Sequence, residues 1–595
     1  MNTIQNGTRF SIFRMIVWLA FGVSAVWALA TSIHLNRIYQ DSWILDSILP
    51  PIAILLISYA IIIIIENNLS TLILFTSSVA FLLNAIPALK YHFVYGSASD
   101  QAAHFDLIRT IAITGQVDPG SPYASTPGFH ALVASLSNFS MGSLVVWSKF
   151  LPAFLGALIP LCFYMLCQRS PVPSLLAKLI IFLSAFSLPL LYRLNGTAFT
   201  VPFVVFLVTF LFLRWLEDFP SRERLTYTLL VLLFLLAILF WHPATTIVIS
   251  SVLILSGLIF ILWPAKRSMF LGLAETAISL GLIAIIAAFA YWMFSAEFVW
   301  LNFVENIRLV LHSDLTPDPI PLRTYQIPFF DRFLVFSFYH ARDAVLITLS
   351  AYGILVLFTT PIGGKLERFL RTYTVLWLVL FGFLVTVLLS GFGTQGYRRF
   401  LYYLVALSPP LAGYGLWAFL VLLKRNTPRF SSSIPAFIGL MLIFILACLQ
   451  LYPYQPIIPD FNIDGIRSGD SPVVYIHQVN TLNQYLMLKF AINHLPAQTQ
   501  LLTDYIGNRQ AMLFFYRQAR DLIHRTVNQR PEPAYLLLHM PGIAGAYVEQ
   551  VEYRSESNIS SWVEKPRISK VYDNGSSFIL YSPDNAKDPF KLESD

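Results

Sequence analysis

Runs of apolar residues long enough to cross a bilayer recur through the first 451 residues of this chain, and they constrain its fold more than any other feature. About 20 such residues, rising 1.5 Å each as helix, match a hydrocarbon layer ~30 Å thick. On that scale the sequence predicts about thirteen spanning helices. They fall near 13–35, 43–65, 70–88, 145–167, 173–192, 198–216, 225–241, 244–263, 269–294, 343–361, 372–391, 400–423 and 434–451. Backbone groups in hydrocarbon must bond one another, so runs of this length read as α-helices. The chain is 56% hydrophobic and 12% charged, which excludes an ordinary soluble protein. The first run is too long, and too polar at its far end, for a cleaved signal peptide.

Lys and Arg fall mainly in one set of connecting loops: Arg9 and Arg14; Arg169; Arg214, Arg222 and Arg224; Lys266 and Arg267; Lys365, Arg368 and Arg371; Lys424, Arg425 and Arg429. Cations favour the cytoplasmic side, so the N-terminus is expected there. Four parts then face outwards: a loop at 89–126, a loop at 295–342, the turn Gly391–Phe400 and everything after Leu451. The net charge of +7 follows from this bias and gives no case for a nucleic-acid partner, since there is no long basic run. Cys162, Cys167 and Cys448 all fall inside spans, so an outer domain has no disulfide.

From residue 452 to 595 the composition becomes that of a soluble domain. Thr481–His494 has helical apolar spacing, and Leu501–Tyr505 and Ala534–Met540 read as buried strands. Ser569–Tyr572 and Ser577–Tyr581 flank Asp573-Asn574-Gly575, a hairpin turn signal. The expected architecture is an all-α polytopic membrane domain, 1–451, followed by a small extracytoplasmic α/β domain, 452–595. No catalytic constellation stands out in the second part.

The loop at 89–126 carries Asp100, His104 and Asp106 between two apolar runs. A helix over 98–113 would put Asp100 and His104 on one face. A carboxylate on apolar ground at a membrane surface gains proton affinity, as a general base needs. His104 could then orient that base or bind an acceptor hydroxyl. Ligation of a divalent metal by the three residues is the other use of this set, although no further ligand cluster is visible. The bland alternative is a solvated juxtamembrane helix.

Gly391–Phe400 reads GFGTQGYRRF. Arg398 and Arg399, beside Tyr397 at the mouth of a span, suit a phosphate, because the guanidinium fork matches its oxygens. Headgroup contact is the alternative, but these arginines lie against the general cationic bias. His242, in the turn Trp241-His242-Pro243, and Arg193, in Tyr192-Arg193-Leu194-Asn195, fall on the same expected side and could line a substrate cavity. Glu275 is the main acid inside a span, but it lies towards the cytoplasmic end.

Taken in order, these pieces resemble the GT-C superfamily of integral-membrane glycosyltransferases, in the branch of protein O-mannosyltransferases and aminoarabinose transferases. The resemblance rests on Asp100 in the outer loop, Gly115, Ser125-Thr126-Pro127-Gly128, the stretch His130–Phe139 and Met141-Gly142. It continues with Trp147-Ser148-Lys149-Phe150-Leu151-Pro152-Ala153-Phe154-Leu155-Gly156, Tyr397-Arg398-Arg399-Phe400 and Val571-Tyr572-Asp573-Asn574-Gly575. Two features depart from it: two extra spans precede the acidic loop, and Gln101 follows Asp100 where many relatives have a second acid.

The resemblance implies a polyprenyl-phosphate sugar donor arriving through the bilayer of a plasma membrane, and an acceptor hydroxyl on a glycan, lipid or protein. It implies Asp100 as base, with Asp106 the other choice, and Arg398 and Arg399 on the donor phosphate. The lipid phosphate is already a good leaving group, so one carboxylate suffices where glycosidases need two. No cofactor is fixed by the sequence. A polysaccharide polymerase or ligase shares this chemistry, whereas a flippase would call for internal repeats and broken helices in matching positions.

Overall fold

The computed structural model describes residues 2–37, 44–90, 99–119, 121, 123–170, 172–187, 196–216, 221–262, 267–297, 299–301, 304, 329–360, 364–389, 396–426, 441–442, 445–446, 500–503, 523–524, 534–539, 569–573 and 577–582. The helices are α1 (Asn2–Arg37), α2 (Ile44–Ile65), α3 (Leu69–Lys90), α4 (Ser99–Thr114), α5 (Gly128–Ser140), α6 (Leu144–Ala157), α7 (Ile159–Arg169) and α8 (Ser174–Ser184). Then come α9 (Gly196–Leu216), α10 (Ser221–Trp241), α11 (Pro243–Leu262), α12 (Arg267–Ser295), α13 (Phe329–Thr359), α14 (Gly364–Leu389), α15 (Gly396–Ala406) and α16 (Pro409–Asn426). Among the described residues, 8 helices are long and apolar enough to cross a membrane, or up to 9 if the bent pair α15–α16 is one span. Leu49–Ile65, Ser174–Ser184 and Thr200–Trp215 are shorter apolar helices. Most of the run at 434–451 lies outside the described residues, as does Thr481–His494.

One of the expected spans is bent, and another changes helix at a single residue while remaining one crossing segment, Leu144–Arg169; a proline stands at each place. The run at 145–167 divides at Leu158 into α6 and α7, with Pro160 in the first turn of α7, where its missing N–H costs nothing. The run at 400–423 bends by 54° between α15 and α16, ahead of Pro409 and Pro410. Polar side chains occupy this break. Ser408 donates to the Leu404 carbonyl at 2.7 Å, and Trp377 Nε1 donates to Ser408 Oγ at 3.1 Å. A broken helix at membrane depth needs such substitutes for lost backbone bonds.

Small residues bring the spans together. A Cβ on Gly353 would lie 2.3 Å from the Leu411 carbonyl, and one on Gly415 would lie 2.1 Å from the Leu349 carbonyl. The backbones of α13 and α16 therefore touch, the contact that small residues permit when hydrophobic burial gives no drive between helices in lipid. Elsewhere apolar side chains face outwards, as Leu225, Leu229, Leu233 and Leu236 do along α10.

One end of the bundle gathers the cationic loops. Arg14 donates to Glu66 at 2.5 Å, joining α1 to the α2–α3 turn, and Lys178 donates to Asn67 at 3.1 Å, adding α8. Arg214 at the end of α9 donates to Thr276 on α12 at 2.8 Å. From this end α3 runs to the opposite one, where α4 and α5 form a hairpin.

The last strands are β1 (Gln500–Thr503), β2 (Ile523–His524), β3 (Ala534–His539), β4 (Ser569–Asp573) and β5 (Ser577–Ser582), in sheet order β2-β1-β3-β5-β4. β1 pairs in parallel with β2 and β3, while β5 is antiparallel to β3 and β4. The strands read from the sequence recur with shifted ends, and β2 is an addition.

Candidate active site

α4 takes its place through its apolar residues. Ile108 is buried with Phe129 and Val133 of α5, Leu151 and Leu155 of α6, and Trp241 at the end of α10. Gly115, at φ +70°, ends α4 in a conformation that costs a side chain energy, and its N–H reaches the Ile111 carbonyl at 2.8 Å. The next fixed point is Ser125–Gly128. Tyr291 of α12 donates to the Ser125 carbonyl at 2.6 Å, and Trp241 lies against the Cα of Gly128. Two of the glycines singled out in the sequence thus have separate physical tasks, a left-handed turn and a close approach.

His104 is buried on α4, and its Nδ1 lies 2.8 Å from Nε2 of His130 on α5, also buried. Tyr123 stacks on the His104 ring at 3.9 Å, and Phe129 stacks on His130 at 3.8 Å. Burial pushes His104 down to about 3. His130 is also held well below its ordinary range, first by burial and then by the neighbouring His104, against the pull of the Thr126 and Pro127 carbonyls. Both rings are therefore neutral near pH 7, with one donating to the other. The sequence pointed to His104. His130 was visible only as the start of an amphipathic stretch.

Asp100 occupies the second position of α4, one turn before His104; its side chain lies outside the described residues. Asp106 is two residues past His104, about 200° around the helix, and so on another face. It is ion-paired to Arg109 at 2.6 Å. Helix geometry thus puts Asp106 on a different face of α4 from Asp100 and His104. Among the described residues no group of three or more His, Cys, Asp or Glu is placed to hold a metal.

His242 stands in the turn between α10 and α11. Its Nδ1 accepts the Thr245 N–H at 3.2 Å and lies 2.6 Å from Thr245 Oγ1. That acceptor role fixes the neutral tautomer and leaves Nε2–H as the donor. Thr245 Oγ1 is in turn 2.5 Å from the Tyr403 hydroxyl on α15. The first turn of α15 contains Tyr397, Arg398 and Arg399, whose side chains lie outside the described residues. Tyr403 is one turn beyond Arg399, about 6 Å along the axis. The α10–α11 turn is therefore tied to α4 and α5 through Trp241, and to α15 through Thr245.

Arg193 lies outside the described residues, as does most of 295–342. The end of that expected loop is helical, since α13 starts at Phe329, and within α13 Arg342 and Asp343 form a buried ion pair. Glu275 is exposed near the start of α12, at the cationic end of the bundle.

No protein-family model matches this chain, and no curated protein does. Among solved structures it is similar to the oligosaccharyltransferase of Archaeoglobus fulgidus in complex with Zn and sulfate, at 13% identity and TM-score 0.43, over 75% of this chain and 57% of that one. The archaeal oligosaccharyltransferase AglB from the same organism, in complex with an inhibitory peptide and a dolichol-phosphate, gives 14% identity and TM-score 0.43, over 75% of this chain and 60% of that one. ArnT from Cupriavidus metallidurans, bound to undecaprenyl phosphate, gives 11% identity and TM-score 0.47, over 86% of this chain and 98% of that one. This chain thus spans less than two thirds of the two archaeal structures.

Proposed function

We propose that this chain is a membrane glycosyltransferase of the GT-C kind, moving a sugar from a polyprenyl-phosphate donor to an acceptor hydroxyl at the extracytoplasmic surface. The observation that carries this reading is convergence. The helix bearing Asp100 and His104, the turn bearing His242 and the helix that opens with Tyr397-Arg398-Arg399 are linked at one end of the bundle by the Gly128–Trp241 and Thr245–Tyr403 contacts.

In this reading Asp100 takes the acceptor's hydroxyl proton as the oxygen attacks the anomeric carbon. The bond from that carbon to the phosphate oxygen breaks, its electrons leave with the lipid phosphate, and configuration inverts. Arg398 and Arg399 neutralise the charge growing on the phosphate, with Tyr397 as an added donor. His104, neutral and held by His130, orients Asp100 or the acceptor without competing for charge. His242 and Arg193 are assigned to the substrate cavity on their sequence positions at the outer turns. Asp106 serves the fold of α4 through Arg109. The step needs no metal, although a divalent ion beside Asp100 remains compatible with it.

The orientation that follows places the N-terminus in the cytoplasm and 452–595 outside a bacterial or archaeal plasma membrane, with about thirteen spans in all. The acceptor is a glycan, a lipid or a protein. The test is transfer of labelled sugar from a panel of polyprenyl-phosphate sugars by purified membranes, with Arg398→Ala alongside. Transfer from at least one donor, with a raised donor KM in the variant, is expected. Lipid translocation without transfer from any donor would instead support a flippase.

A further inference from the structure

The α4–α5 hairpin is not among the membrane-crossing helices, yet its far end turns large apolar side chains outwards. Ile113, Phe139 and Met141 are 76%, 94% and 96% exposed. The structure brings them together, because Asn138 Nδ2 donates to the Ala112 carbonyl at 2.9 Å and pins the end of α5 to the end of α4. Met141 closes α5 at φ 53°, with its N–H on Asn138 and that of Gly142 on Ser137. Glycine is usual at this position of a helix end, so the turn displays a thioether where a side chain is normally missing.

Three further observations say what meets this surface. Residues 110–117 and 131–148 contain no Asp, Glu, Lys or Arg. The membrane-crossing segment Leu144–Arg169 begins three residues after Met141, which sets the tip at the level where that span enters lipid. Trp147, in the first turn of α6, donates Nε1–H to Ser140 Oγ at 2.7 Å, the amphipathic arrangement suited to a membrane interface. The apolar surface then continues along the exposed Val146, Phe154 and Leu158.

We infer that this tip inserts into the headgroup–acyl boundary of the bilayer and is the lipid-bound foot of the hairpin. Burying three large apolar side chains at the end of a helix pair is how interfacial elements hold to membranes. The insertion anchors the end of α4 opposite Asp100, some 20 Å away along the helix. It does not depend on the chemistry proposed for Asp100.

The test uses the full chain in phosphatidylcholine–phosphatidylglycerol nanodiscs. Met141→Cys carries an environment-sensitive fluorophore, with Glu297→Cys as an exposed, charged comparator just past α12 and the labelling background of the unsubstituted chain subtracted. Doxyl-labelled lipid should quench the probe at 141 at least ~3-fold more than at 297, and aqueous iodide should quench it less. Equal iodide quenching at both positions would place the tip in water. Protection at 141 from both quenchers would mean that protein covers it, and either result overturns the inference. Phe139→Cys repeats the measurement if the first variant fails to fold.

Discussion

Trp241 fills the space that a side chain on Gly128 would need: a Cβ there would lie 2.0 Å from the indole Cδ1 and 2.4 Å from Nε1. This contact seats the loop ahead of α5 on the turn that carries His242. Gly128→Ala should cost about 1–3 kcal/mol, as overpacking does. It should also lower transfer by at least ~10-fold, because the hairpin and the turn would shift apart. Trp241→Leu in the same chain should restore part of both. Thermal unfolding in detergent and the sugar-transfer rate check this prediction.

The His104–His130 pair predicts acid sensitivity. The folded chain holds His104 at about 3 against an ordinary 6.5, with His130 displaced in the same direction. Below 6.5 the unfolded chain takes up protons that the folded chain refuses. Stability is therefore fully present above pH 6.5 and falls as pH drops, approaching about 1.4 kcal/mol per pH unit for each histidine. Unfolding measured from pH 7 to 5 should show this slope in the natural chain. A flatter profile is expected for His104→Gln with His130→Gln, two amides able to bond each other, and equal slopes would contradict the pairing.

Much of this arrangement can be read from the amino-acid order, and the unread parts share a cause. Hydropathy located most helices, and the helix supposed at 98–113 corresponds to α4, which runs from Ser99 to Thr114. The bend at Ser408 was hidden because the apolar run continues across it, even though Pro409 and Pro410 mark the place. His130 bonds a residue 26 positions away, and Tyr403 one 158 positions away. No local pattern records such pairings, since tertiary packing creates them. β2, only 2 residues long, is too short to carry a pattern.

Glu66 is 2% exposed and holds Arg14 at the cationic end of the bundle, far from α4. Glu66→Gln should leave the transfer rate per folded molecule unchanged while lowering stability by about 1–3 kcal/mol. A double-mutant cycle with Arg14→Gln should give a coupling of about 1 kcal/mol or more. Zero coupling would remove this pair as the clamp between α1 and the α2–α3 turn.

Tyr403 reaches His242 through Thr245. Tyr403→Phe removes one hydroxyl and should cost about 1 kcal/mol of stability. Because it frees the Thr245 hydroxyl to rotate, kcat should fall ~10-fold with a smaller change in KM. His242→Ala should give a loss at least as large, and the double variant should be no worse than His242→Ala alone. Additive losses would show that the two residues act separately.

The central claim rests on Asp100 as the group that takes the acceptor proton. It is tested most directly by single-turnover transfer of labelled sugar from a polyprenyl-phosphate donor, comparing the natural chain with Asp100→Asn. The substitution keeps the side chain's shape and removes its charge. A fall of at least ~10³-fold is expected, with donor binding retained and the protein still inserted in the membrane. Transfer at the natural rate by Asp100→Asn would contradict the account.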